Sequence, residues 1–142
     1  MIQGVNHVTL GVRDLDRSVR FYRDGLELSV AARWARGAYL SAGDLWLALA
    51  LEPEGTPTTG ESHVAFTVAA SDFDAVRARV LAAGAVEWRQ NRSEGASFYF
   101  CDPDGHHLEV HCGTLKSRLD ALVGREGYEL GPRGSSLARP TP

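Results

Sequence analysis

The chain begins its pattern twice. H-V-T-L-G-V starts at His7 and H-V-A-F-T-V at His63, an offset of 56 residues, and an Asp-led stretch with helical spacing follows each. Both openings alternate well enough for a strand. In the first half Val5 to Val12 is the strand. Asp14 then caps a short helix whose buried face carries Leu15, Val19 and Phe21-Tyr22, ending near Gly25. Three apolar segments follow, Leu26 to Arg33, Ala38 to Ala42 and Leu45 to Leu51, the last two joined by a turn at Gly43-Asp44. Glu52 to Gly60 is a linker by composition. The second half repeats the plan: strand His63 to Val68, acid-capped amphipathic helix Asp72 to Ala83 stopped by Gly84, then strands Val86 to Gln90, Ser97 to Cys101 and His106 to Cys112. The repeat predicts an α+β fold of two tandem βαβββ units, over about 1–55 and 61–113. A short helix from Leu115 to Val123 closes it. We expect one domain over 1–119 and a C-terminal extension over 120–142, in which the segment from Gly131 (G-P-R-G-S-S-L-A-R-P-T-P) has no apolar periodicity and should be mobile.

Composition narrows the function classes. The 142 residues suit one ordinary domain, and 44% hydrophobic with 23% charged residues is globular rather than disordered. A net charge of -3 supplies no general attraction for nucleic acid or anionic lipid. There is no leader and no apolar run of bilayer length, so a soluble cytoplasmic protein is expected. Cys101 and Cys112 lack C-x-x-C spacing and read as structural free thiols.

The chemistry gathers near the end. Strand His107 to His111 carries Glu109 between Leu108 and Val110, so alternation puts Glu109 on one face with His107 and His111. A carboxylate in mid-strand calls for a solvated face or a cation. His7 and His63 hold matching positions in the two repeats, and with Glu109 they make a ligand set for a divalent first-row metal. The strand equivalent to that of Glu109, L-W-L-A-L-A-L from Leu45, offers no ligand and leaves the metal open for substrate. Each histidine taken alone reads as a packed or surface residue; the matched positions favour the site. His106, His107 and His111 lack the symmetry argument and read as supporting or surface residues.

N-H-V-T-L near the start, G-A-Y-L and L-W-L in between, and Q-N-R-S-E-G-A-S-F-Y-F-C-D-P-D-G-H-H-L-E near the end resemble the vicinal oxygen chelate (glyoxalase/bleomycin resistance/dioxygenase) superfamily. Within it they are similar to the manganese-dependent fosfomycin-resistance glutathione transferases, from about Met1 to Leu119. The resemblance implies that His7, His63 and Glu109 hold Mn(II), and that glutathione opens the epoxide of fosfomycin, conferring resistance. It places the phosphonate on Thr9, Arg89, Ser93, Tyr99 and Arg118 with Trp46 along the wall, and Tyr39 near the thiol. It implies a K⁺ loop of Asn91, Ser93, Glu94, Gly95 and Ser97. It also implies a homodimer, the βαβββ units pairing across chains so that His7 of one subunit meets His63 and Glu109 of the other. Without it, Trp46, Phe98 and Tyr99 read as core aromatics, Thr9 as the polar half of a strand, Arg118 as a solvated helix charge, and the Asn91 loop as an ordinary connection. Arg89 stands where the family usually has lysine, which keeps the charge and alters the geometry. Alternatives are a related enzyme using another thiol or water, a non-haem iron extradiol dioxygenase with the same ligands, and a drug-sequestering protein. The basic Arg89 and Arg118 suit an anion better than a catechol, and sequestering relatives usually lack the ligands that this chain keeps.

Overall fold

A computed structural model describes residues 1–132. Its first half runs β1 (His7–Val12), α1 (Leu15–Arg20), β2 (Ser29–Trp34), β3 (Gly37–Ala42) and β4 (Leu45–Leu51). Its second runs β5 (Val64–Thr67), α2 (Phe73–Ala82), β6 (Val86–Arg89), β7 (Ser97–Cys101) and β8 (His107–His111), followed by α3 (Leu115–Leu122). Two four-stranded sheets result, ordered β1-β4-β3-β2 and β5-β8-β7-β6, with the first strand of each parallel to the last. This is the expected α+β repeat. The mobile-tail expectation falls mainly on residues 133–142, outside the described residues. Among the described residues no helix is long and apolar enough to cross a membrane.

Local chemistry explains most boundaries. The Asp14 carboxylate accepts from Arg17 N at 3.0 Å and caps α1, which continues as a π-helical turn over Phe21–Gly25 that the residue pattern did not signal. Two expectations need correction. Asp72 makes no side-chain cap; its carboxylate accepts from Ser71, and a 3₁₀ turn over Ala70–Asp72 leads into α2 instead. β2 begins at Ser29 rather than Leu26, because Glu27 takes φ 55° and breaks the extended backbone, turning Leu26 and Leu28 onto the core.

One core serves both halves. Leu40, Leu47, Leu49, Phe100, Leu108 and Val110 face the helices from the two sheets, each 0–1% exposed. Val19, Phe21 and Val80 meet them from the helical side. Each such side chain contributes roughly 1.5–3 kcal/mol of burial. Alternation therefore commits the opposite face of each sheet to other work.

The halves are also joined by a polar clasp, built from the turn between β7 and β8. Tyr22 donates from its hydroxyl to Asp102 Oδ2 at 2.6 Å, while Asp102 Oδ1 accepts the backbone N–H groups of Asp104 and His106, both at 2.9 Å. Asp104 accepts from Arg13 N, the Ser18 hydroxyl and Arg17. The His106 ring bonds Gly11 O at 2.6 Å, which makes it a buried cross-strut rather than a surface residue. D-P-D-G-H thus does more than turn the chain.

Candidate active site

The outer face of the first sheet carries His7, Thr9, Tyr39 and Trp46. Register places Trp46 beside His7, and Ala48 between Thr9 and Tyr39. The His7 ring stacks on Trp46 at 4.7 Å, and Tyr39 meets Trp46 edge-on at 6.1 Å. Trp46 Nε1 is buried and has no hydrogen-bond partner among the described residues. Tyr39 and Thr9 are exposed.

The outer face of the second sheet carries the complementary set. Ala65, Glu109, Tyr99 and Arg89 lie in one row across the strands. Glu109 is the residue equivalent to Ala48, and Tyr99 to Tyr39, so a carboxylate and a methyl group hold matching sites. Glu109 is only 5% exposed. Its Oε1 accepts from the Ser97 hydroxyl at 2.6 Å and its Oε2 faces His63 Nε2 at 3.0 Å.

The tautomers follow from the partners. His63 Nδ1 contacts Glu61 O at 2.7 Å, and a carbonyl only accepts, so the ring carries its proton there. His7 Nδ1 meets Asn6 Oδ1 at 2.7 Å in the same manner. In both rings Nε2 is then the nitrogen left to face the site. At His63 Nε2 lies 3.0 Å from Glu109 Oε2, an approach that a shared proton or a shared cation makes favourable. Two imidazoles and a buried carboxylate therefore fit a divalent metal by donor type.

The three candidate ligands do not meet within one chain. Among the described residues no group of three His, Cys, Asp or Glu side chains is gathered for a metal. His63 and Glu109 are together on the second sheet, and His7 stands on the first. Pseudo-symmetry puts the histidines at equivalent points, not at the same point.

The other expected residues divide. Arg89 lies over the Tyr99 ring at 5.4 Å and pairs with Glu61, at the mouth of a shallow pocket lined also by Trp88, Gln90 and Arg92. Arg118 approaches Glu94 at 3.5 Å and His111 Nε2 at 3.4 Å, so it faces the site rather than solvent alone. Asn91 closes its own loop: its amide donates to Gly95 O at 2.7 Å and Ser93 O at 3.4 Å, and its Oδ1 accepts from the Ser93 amide and hydroxyl. Ser97 begins β7 and spends its hydroxyl on Glu109. Sequence reasoning missed Trp88, which stacks on His107 at 3.9 Å and approaches His63 at 5.9 Å. His107 and His111, read from the sequence as supporting or surface residues, both have partners, His107 on Trp88 and His111 on Ser97. The alternation around Glu109 signalled their face, but no signal gave their partners. Burial raises both thiols, with Asp102 adding to the effect at Cys101 and Asp74 at Cys112, in keeping with structural cysteines.

Residues 4–110 match the model of the Glyoxalase/Bleomycin resistance protein/Dioxygenase superfamily. The chain is 49% identical to the glutathione transferase FosA of Serratia marcescens over 85% of its length and 89% of that protein. It is 40% identical to a metallothiol transferase FosB of Shouchella clausii, over 84% and 86%. Among solved structures it resembles the fosfomycin resistance protein FosX of Mesorhizobium loti, with TM-score 0.72 and 34% identity over 84% and 99% of the chains. It resembles equally a mutant FosX of Listeria monocytogenes complexed with Mn(II) and 1S,2S-dihydroxypropylphosphonic acid, with TM-score 0.75 and 28% identity over 85% and 98%. The repeated βαβββ fold and these similarities place the chain in the Glyoxalase/Bleomycin resistance protein/Dioxygenase superfamily, among its fosfomycin-resistance enzymes.

Proposed function

We propose that the protein is a Mn(II)-dependent glutathione S-transferase that opens the epoxide of fosfomycin. The observation that carries the reading is the buried Glu109 facing His63 Nε2 at 3.0 Å, with the cationic Arg89 and Arg118 on the same side. Glutathione is favoured over other thiols because the FosA relative is the more similar of the two transferases compared.

His7, His63 and Glu109 hold the cation, His7 coming from the partner subunit of a cytoplasmic homodimer; the separation of His7 from the other two within one chain supports this pairing. Bound there, a divalent metal supplies Lewis acidity at the epoxide oxygen. The chain does the rest by charge and position. Arg89 and Arg118, with the hydroxyls of Thr9, Ser93 and Tyr99, bind the phosphonate, and Trp46 walls the propyl carbons. The thiol gives its proton to solvent, the thiolate attacks one epoxide carbon, a carbon–sulfur bond forms as the carbon–oxygen bond breaks, and the released oxygen takes a proton from solvent to become a hydroxyl. Tyr39 lies on the open face at the side from which the thiol enters. The loop of Asn91, Ser93, Glu94, Gly95 and Ser97 takes K⁺, supported by the Ser93 and Gly95 carbonyls, which both turn toward one point now served by the Asn91 amide.

The test is to strip the protein of metal, restore Mn(II) and K⁺, and follow the phosphorus NMR signal of fosfomycin with glutathione, cysteine, bacillithiol or no thiol. Product that needs Mn(II) and glutathione, and is lost in Glu109→Ala, supports the reading. Product without thiol points to water addition instead. No product in any tube, with Mn(II) bound, overturns fosfomycin as the substrate.

A further inference from the structure

Behind Glu109 lies a hydrogen-bond chain whose direction can be worked out from its ends. The Ser97 hydroxyl sits 2.6 Å from Glu109 Oε1 and 2.6 Å from His111 Nδ1. A carboxylate only accepts, so the single serine proton goes to Glu109, and Ser97 must accept from an N–H on His111 Nδ1. At the far side Arg118 Nη2 approaches His111 Nε2 at 3.4 Å. A guanidinium only donates, so Nε2 must be the bare nitrogen. Both ends demand the same tautomer, and Arg118, His111, Ser97 and Glu109 form one directed series.

The ring is also held mechanically. A methyl group built on Gly95 would lie 3.0 Å from His111 Cε1, and one on Gly113 would lie 2.7 Å from His111 Nε2. The two glycines leave a slot that fits the imidazole closely, and the ring is mostly buried, 16% exposed.

We propose that His111 is a positioning residue, which through Ser97 holds the Glu109 carboxylate toward His63 and through Nε2 ties it to Arg118. The inference rests on the metal reading above and deepens it. Ordering of a ligand by such outer contacts is reflected in metal affinity before any chemistry occurs.

The experiment titrates Mn(II) into the metal-free full-length protein and reads free Mn(II) by electron paramagnetic resonance, with circular dichroism to verify folding. His111→Phe should weaken binding about 10- to 100-fold, and Ser97→Ala by a similar factor. The double variant should be little worse than either, since both cut one series. His111→Asn, whose amide can donate from near the Nδ1 position, should restore most of the affinity. Should His111→Phe fail to fold, Ser97→Ala decides, titrated without K⁺ so that the lost oxygen counts only toward Glu109 and His111. Affinity unchanged in these variants, or no rescue by asparagine, overturns the positioning role while leaving the metal site intact. Failure of the unaltered protein to bind Mn(II) overturns the metal reading itself and this inference with it.

Discussion

Tyr22→Phe isolates one bond of the clasp between the halves. Tyr22 is fully buried and its hydroxyl donates to Asp102 Oδ2 at 2.6 Å. The substitution keeps the ring, its edge-on contact with Phe21 at 5.3 Å and nearly all its volume, so cavity costs are small. What is lost is a hydrogen bond to a buried carboxylate, about 1.5–3 kcal/mol for a charged acceptor. Asp102 keeps two backbone donors on Oδ1, which argues for the middle of that range, about 2 kcal/mol. For a domain of this size that is a fall in Tm of roughly 6–8 °C. The pH dependence gives an independent check. Burial first, then the Asp102 charge, pushes the Tyr22 phenol well above its usual 10.0. The folded protein therefore keeps a proton that the unfolded chain releases above pH 10. The stability this contributes is complete below pH 10 and is lost as pH rises toward the raised value. Phenylalanine has no such proton, so the Tm gap between the two proteins should narrow from pH 8 to pH 11. Melts at both pH values and one protein concentration measure it. A gap under 2 °C at pH 8, or a gap that does not narrow, would refute the account of the clasp.

Two further outcomes are expected. Because burial raises the thiols of Cys101 and Cys112, each should react with a disulfide reagent at pH 8 more slowly than free glutathione; stopped-flow labelling at the free-thiol rate would contradict their structural assignment. Arg89→Lys removes a forked partner of the exposed Glu61, a surface pair worth about 0–1 kcal/mol, so Tm should hardly move. If Arg89 binds the phosphonate through its fork, the same change should raise KM for fosfomycin by a factor of a few, and steady-state kinetics showing no change in KM would remove Arg89 from the pocket.

How far the residues themselves led can be judged at particular positions. Short apolar or aromatic runs bounded by turn residues set β4 and β7 to the residue, and period-2 alternation set Leu108 and Val110 against Glu109 across β8. The 56-residue repeat paired His7 with His63, and the Asp14 cap announced α1. Alternation, capping and turn chemistry are properties of a few neighbouring residues, so they are present in the sequence itself. The left-handed Glu27, the 3₁₀ entry to α2 and the π-helical turn after α1 were not legible, since packing against the core selected among local conformations of similar energy.

The sequence by itself determined which residue types face which side of each sheet, and so nominated the metal ligands. Only the tertiary structure decided that Ser97 serves Glu109, that His111 joins it to Arg118, that Asp102 and Asp104 clasp the two halves, and that His7 stands apart from His63 within one chain. Those are matters of strand register and of how the two halves dock, fixed by contacts between residues dozens of positions apart that no local period encodes.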